Sequence, residues 1–133
     1  MGHAHWSLKQ GRPIIEVILT LAQGGQPFGR TLLADTGAGM LGAAFEIVLD
    51  ENDCVLCGGI ASQKLVTLGG AYSGSFPVYS LRVQLPSLGV DQPMPVVGVP
   101  TAPAGFDGIA CFPFLNRFTY GNFSDRGGFG LQP

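Results

Sequence analysis

Residues 31–38 read TLLADTGA, an apolar run that ends directly at the carboxylate of Asp35. The run predicts a buried strand, so the Asp35 side chain should be partly desolvated where that strand ends. Thr36, Gly37 and Ala38 then supply a hydroxyl donor, a glycine and a small residue, which suit a tight turn whose N–H groups approach the carboxylate. The tripeptide alone also fits a simple Asx turn between strands. Its context must therefore decide whether it indicates chemistry.

The rest of the chain predicts an all-β fold. Hydrophobic residues make up 46% of the 133 residues, and 21 glycines and 10 prolines separate short apolar runs. Residues 13–21 and 28–34 predict one hairpin, and residues 63–68 and 75–85 predict a second, with a glycine-rich tip. Further strands are expected at 43–49, 94–99 and 120–123, with a polar loop at 50–59. Residues 112–118 have the only convincing helical spacing.

Taken in order, these segments resemble the retropepsin family of single-lobe aspartic proteases. The matching segments are LLADTGA at 32–38, LGGA at 68–71, FDGIACFPFL at 106–115 and TYGNF at 119–123. The resemblance covers about residues 13–123. It implies one domain over residues 1–133, a closed β-barrel with a flap hairpin and one short C-terminal helix. Residues 1–12 and 124–133 would then be terminal extensions.

The resemblance also implies an activity, that of an aspartic endopeptidase. Asp35 would be the catalytic carboxylate, and Thr36, Gly37 and Ala38 would support it, with Thr36 bracing two loops across a symmetry axis. An extended peptide or protein segment would bind beneath the flap as an added β-strand. Its side chains would meet apolar positions at Leu33 and Ile109 and the flap residues, which are Gly69, Gly70, Ala71 and Tyr72.

A single copy of the Asp-Thr-Gly motif points to a homodimer. The chemistry needs two carboxylates close enough to share one proton, and the chain has no second acidic residue in such a setting. Two copies of Asp35 related by a twofold axis would supply the pair. The high apolar content, with only 12% charged residues, is a mild hint of the same kind.

Three departures from the family pattern keep other functions open. Cys111 stands where the family usually has glycine. Gly39 and Phe112 replace an acid and an arginine that pair in retroviral members, and the flap tip is not Gly-Gly-x-Gly-Gly. A catalytically weak or inactive peptide-binding or dimerisation module is therefore the alternative function. A thiol-based sensor that uses Cys54 and Cys57 is a third.

Composition disfavours other classes of partner and cofactor. The net charge is −2 and the seven Lys and Arg residues are scattered, which argues against nucleic acid. No apolar run approaches the roughly 20 residues of a spanning helix, and the first residues lack a signal-peptide pattern, so we expect a cytoplasmic protein without membrane contact. We expect no metal or other cofactor, because the lone CxxC lacks further ligands and His3 and His5 lie near an end expected to be mobile. Residues 124–133 could add a strand, cover the cleft or be disordered.

Overall fold

Within residues 2–70 and 72–133, which the computed structural model describes except for the side chains of residues 63 and 64, the chain forms ten strands, two short α-helices and one 3-10 turn. In chain order they are β1 (Ala4–Ser7), β2 (Ile14–Thr20), β3 (Pro27–Ala34), β4 (Ile47–Asp50), α1 (Glu51–Leu56), β5 (Ile60–Leu68), β6 (Gly74–Leu85), the 3-10 turn (Pro86–Leu88), β7 (Val90–Val99), β8 (Gly108–Ala110), α2 (Phe112–Leu115), β9 (Thr119–Gly121) and β10 (Gly128–Gln132). No helix in this part of the chain is long and apolar enough to cross a membrane.

Six strands close into a barrel. The larger sheet has the order β2-β3-β8-β4-β7-β6-β5, and β2 also pairs with β6 through Ile18 and Gln84. This last pairing joins β2 to β6 and leaves β5 outside the ring, as the outer strand of the β5–β6 hairpin. The predicted all-β fold with a closed barrel is confirmed.

The barrel interior follows from the alternation along its strands. In β2, Ile15, Val17 and Leu19 are at most 1% exposed, while Glu16 between them faces solvent. Side chains on one face of a strand are two residues apart, so this pattern turns one face of β2 inward. Phe114 of α2 is fully buried in the same core, which fixes the short C-terminal helix against the barrel.

The pairing of β8 determines where the DTGA turn lies. β8 runs parallel to β3, with Leu33 opposite Ile109 and Ala34 opposite Ala110, and antiparallel to β4 on its other side. Strands β3 and β8 therefore end at the same level. Asp35 follows β3 directly and enters its turn beside the start of α2.

The helix α1 is a correction to the sequence analysis, which predicted a polar loop at 50–59. Asp50 caps the helix, because its Oδ1 accepts the N–H of Asn52 at 2.9 Å, and Glu51 and Asp53 lie in the first turn, where acidic groups are favourable. Asp53 is buried and accepts two hydrogen bonds from Arg30 of β3, at 2.7 and 2.9 Å. The helix is thereby anchored to the barrel. The C-terminal helix α2 ends at Leu115, earlier than predicted.

The chain ends form a second, three-stranded sheet of order β1-β10-β9. β1 pairs with β10 in antiparallel register, with Trp6 opposite Phe129, and His5 Nε2 lies 2.9 Å from Asp125 Oδ2. Leu131 is fully buried. The expectation of a mobile N-terminal end is therefore wrong for residues 4–7. Of the alternatives left open for residues 124–133, the structure has the added strand.

Candidate active site

The backbone around Asp35 fixes its position at the end of β3. The Asp35 N–H donates to the carbonyl of Ala110 at 3.0 Å, which continues the β3–β8 pairing by one residue. The N–H of Gly37 donates to Asp35 Oδ1 at 2.9 Å, and the N–H of Ala38 donates to the Asp35 carbonyl at 3.2 Å. A Cβ at Gly37 would lie 3.2 Å from Asp35 Oδ1, so a side chain there would crowd the carboxylate. The result is a half-buried carboxylate held by a tight turn.

The turn continues into an exposed loop that is tied to α2. The N–H of Phe112 donates to the carbonyl of Ala38 at 2.8 Å, which anchors the loop to the helix start. Thr36 is exposed beside Asp35, and Met40 and Leu41 are 72% and 73% exposed farther along. The segment next to the carboxylate thus presents apolar surface to solvent.

Asp35 lies in a cleft between this turn and the β5–β6 hairpin, which is the hairpin predicted as the flap. The cavity has a volume of about 440 Å³. Its lining comes from the DTGA turn, from the flap tip and from the apolar wall between them: Asp35, Gly37, Ala38, Gly39, Phe45, Val48, Leu68, Gly69, Gly70, Tyr72, Ile109 and Cys111. Among these residues Asp35 is the only carboxylate. The described residues of one chain therefore offer a single carboxyl group to anything bound there.

A second cavity continues the cleft along the barrel. It has a volume of about 610 Å³, and it shares Tyr72 and Ile109 with the first. The Tyr72 and Phe76 rings meet edge to face, with centroids 6.3 Å apart, on its flap side. The remaining lining residues are Arg12, Leu33, Pro100, Thr101, Ala102 and Pro103. Together the two cavities form an elongated cleft with mostly apolar walls.

The structure brings most of the residues selected from the sequence into this cleft. The first cavity contains Asp35, Gly37, Ala38, Gly69, Gly70, Tyr72 and Ile109, and the second adds Leu33. Thr36 borders the site but does not line either cavity. Ala71 lies outside the described residues.

Cys111 forms part of the cleft wall behind the carboxylate. The side chain is fully buried, and this burial, together with the nearby charge of Asp35, raises the pKa of the thiol to about 12. Its Sγ lies 3.8 Å from the carbonyl oxygen of Ile109. The thiol therefore stays neutral at physiological pH and adds no charge to the site.

Thiol reactivity is expected to be low throughout the folded protein. Burial, reinforced by Asp53, raises the pKa of Cys54 to about 12 and raises that of Cys57 as well. Because the thiolate is the reactive form, alkylation at pH 8 should be slow at all three cysteines and slowest at Cys54 and Cys111. Mass spectrometry after iodoacetamide treatment, with a urea-unfolded sample as control, would measure this. Rapid native alkylation of both Cys54 and Cys57 would instead support the thiol-sensor alternative.

An ion pair between Glu46 and Arg117, which the sequence analysis missed, stabilises the segment next to the site. Glu46 accepts two hydrogen bonds from Arg117, both at 2.6 Å, and its backbone carbonyl accepts the N–H of Cys111 at 3.0 Å. This pair links the segment before β4 to the residues that follow α2. The partners are 71 positions apart. No local pattern could have paired them.

The described part of the chain contains no group of three or more His, Cys, Asp or Glu side chains placed to hold a metal ion. Comparison of the chain with known families, with curated proteins and with solved structures gave no match.

Proposed function

We propose that this chain is a retropepsin-like aspartic endopeptidase that acts as a homodimer. One observation carries the proposal: a half-buried carboxylate, Asp35, is held by the Gly37 N–H in the lining of a mostly apolar cleft beneath a glycine-rich hairpin. Asp53, which anchors α1 to the barrel, is matched by Arg30. No ion pair among the described residues involves Asp35. The free carboxylate is instead directed to a cleft that can hold a peptide.

A second copy of the chain supplies what the cleft lacks. Hydrolysis by this chemistry uses one charged and one protonated carboxylate, and two acids a few ångströms apart reach that state by sharing a proton. Among the described residues that line the first cavity, Asp35 is the only carboxylate, so in this proposal its partner is the Asp35 of another chain. A twofold axis beside the exposed Thr36 would bring the two equivalent turns together.

In the proposed mechanism the charged Asp35 takes a proton from a water molecule as that water attacks the scissile carbonyl carbon. The protonated Asp35 of the second copy donates its proton towards the carbonyl oxygen, so a tetrahedral diol forms. Collapse of the diol breaks the C–N bond as the proton taken from water passes to the leaving amine. One diol hydroxyl returns a proton to the Asp35 of the second copy as the C=O bond forms, which restores the starting protonation of the pair. No covalent enzyme intermediate forms. The Gly37 N–H keeps the Asp35 oxygen that it binds from rotating away.

The cleft shape favours an extended peptide as the substrate. The two cavities adjoin at Ile109 of β8 and at Tyr72, so a strand-like ligand that spans both would place different side chains in them. Apolar contacts come from Val48, Leu68, Ile109 and the aromatic pair Tyr72–Phe76. Apolar residues next to the scissile bond are expected to be preferred.

Digestion of a mixed peptide library, with products identified by mass spectrometry, tests the proposal. The expected result is pepstatin-sensitive cleavage by a species of twice the 13.9 kDa chain mass, determined by sedimentation. Peptide binding without cleavage would favour the alternative function, a peptide-binding module. Full cleavage by a monomer would contradict the shared dyad.

A further inference from the structure

The second cavity of the cleft carries a cation that nothing in the described structure neutralises. Arg12 lies at its edge, and Lys9 lies nearby in sequence and space. None of the ion pairs between described residues includes either side chain. The other residues that line this cavity carry no charge. Among the described residues, Arg12 is therefore the only charged group that lines this mostly apolar space.

A tight hairpin holds the two cations in place. Lys9 and Arg12 exchange two backbone hydrogen bonds of 3.0 Å, and the two residues between them, Gln10 and Gly11, have φ values of 54° and 73°. Positive φ at both central positions is typical of a type I′ turn, which keeps the flanking residues opposed. The Gln10 side chain packs against Gly105, so the turn is docked on the loop before β8.

Both cations also lie over the same aromatic ring. The Lys9 Nζ is 5.5 Å and the Arg12 Cζ is 5.9 Å from the centroid of Phe106, whose side chain is buried. These distances are within the range of cation–π attraction, which restricts where the two groups can move. Two like charges held on one ring without a counterion repel each other. An anion bound between or beside them would remove that repulsion.

From this arrangement we propose that the second cavity is a specificity subsite for an acidic side chain of the peptide bound in the cleft. Glutamate is the preferred residue. The methylene groups of glutamate would pack on Leu33, Phe76 and Pro103, and its carboxylate would meet the planar, two-pronged donor of Arg12. The inference rests on the proposed function, because it assumes that an extended peptide occupies the cleft. It goes further by naming the substrate class.

The position of the cavity limits which peptide residue it can receive. Leu33 lines the second cavity, and Asp35 is two residues farther along the same chain direction. Two residues of extended chain span about 7 Å. The glutamate is therefore expected two or three residues from the scissile bond, on one side of it.

Binding to the Asp35→Asn variant tests the subsite without turnover. The probes are fluorescein-labelled decapeptides, capped at both ends, with a central Leu-Phe pair and alanine or serine elsewhere. A single glutamate is moved through the flanking positions, and each probe has a glutamine twin. At one position two or three residues from the centre, glutamate should bind about fivefold more tightly than glutamine in fluorescence anisotropy, a moderate gain because Arg12 is solvent-exposed. The gain should fall at high salt.

Variants assign the preference to the Lys9–Arg12 pair. Arg12→Gln in the same background should reduce the preference to less than twofold, Lys9→Gln/Arg12→Gln should abolish it, and Arg12→Lys should retain part of it. Arg82→Gln is the matched control, since it removes one positive charge from an exposed pair with Asp91, outside both cavities of the cleft. Its glutamate preference should equal that of the parent. Thermal unfolding would verify that each variant is folded.

Several results would overturn the inference: equal affinity for glutamate and glutamine at every position, a preference that survives Lys9→Gln/Arg12→Gln, or one lost equally in Arg82→Gln.

Uncapped glutamine probes form a separate arm. If only the probes with a free C-terminal carboxylate bind more tightly, and the gain in affinity requires Arg12, then Arg12 recognises the end of the peptide chain. That result would reject the side-chain subsite. If the glutamate preference is found while the wild-type chain cleaves no probe, the proposed activity fails and the subsite stands. Cleavage without an Arg12-dependent preference would support the activity and reject the subsite, and absence of binding by any probe rejects both.

Discussion

Asp35→Asn is expected to lower the rate of peptide cleavage by at least about a thousandfold, because an amide can neither accept the proton of the attacking water nor share one with a second acid. The amide oxygen can still accept the Gly37 N–H, now 2.9 Å from Asp35 Oδ1, so the turn should keep its shape. Initial cleavage rates and thermal unfolding of the variant and the wild type would measure both effects. Asp91→Asn, a change of the same kind at an exposed acid outside the cleft, should leave the rate unchanged.

Mixing the two proteins tests whether each active site needs two copies of Asp35. If the chains exchange freely in an equal mixture of wild type and Asp35→Asn, about one quarter of the dimers carry two native carboxylates. The activity of the mixture should then be about one quarter of that of the same total amount of wild type. A value near one half would mean that each chain works alone, and it would remove the basis for a shared proton.

Local patterns in the sequence were enough to predict the parts of the molecule that local forces determine. The alternation in residues 13–21 corresponds to β2 (Ile14–Thr20), and the glycine-rich segment after residue 68 corresponds to the tip of the β5–β6 hairpin. The apolar run before Asp35 forms β3 and ends where the motif begins. In each case the apolar spacing and the turn residues lie within a few positions of one another.

Features that depend on partners far apart in the chain could not be predicted in this way. Strand β1 is stabilised by β10 from the opposite end of the chain, and a short terminal segment shows no signal of its own without that neighbour. The Glu46–Arg117 ion pair likewise joins residues that lie far apart in the chain. Helix α1 is a different case, because the capping residue Asp50 and the acidic first turn were present in the sequence, and the polar composition of the segment obscured them.

The close packing of β8 against β3 and β4 at Gly108 affects both the barrel and the candidate site. It lies in β8 between Leu32 of β3 and Leu49 of β4. An added Cβ would overlap the backbone carbonyl oxygen of Val48 and approach the Leu49 and Leu32 side chains to 2.9 and 3.1 Å. A backbone carbonyl in a paired strand cannot move aside as a flexible side chain can. The close fit of three strands at Gly108 is also what places Ala110 beside Asp35.

Gly108→Ala should therefore lower the free energy of unfolding by about 3 kcal/mol or more, at the upper end of the usual range for overpacking. Urea unfolding at one fixed protein concentration would measure the change, since the stability of the proposed dimer would depend on concentration. Gly29→Ala is the matched control: Gly29 is an exposed strand glycine of β3 with open space where its Cβ would stand, so the change there should stay within about 0.5 kcal/mol. Equal stability of the two variants would show that β8 is not packed between β3 and β4. It would also contradict the position of Asp35 beside Ala110.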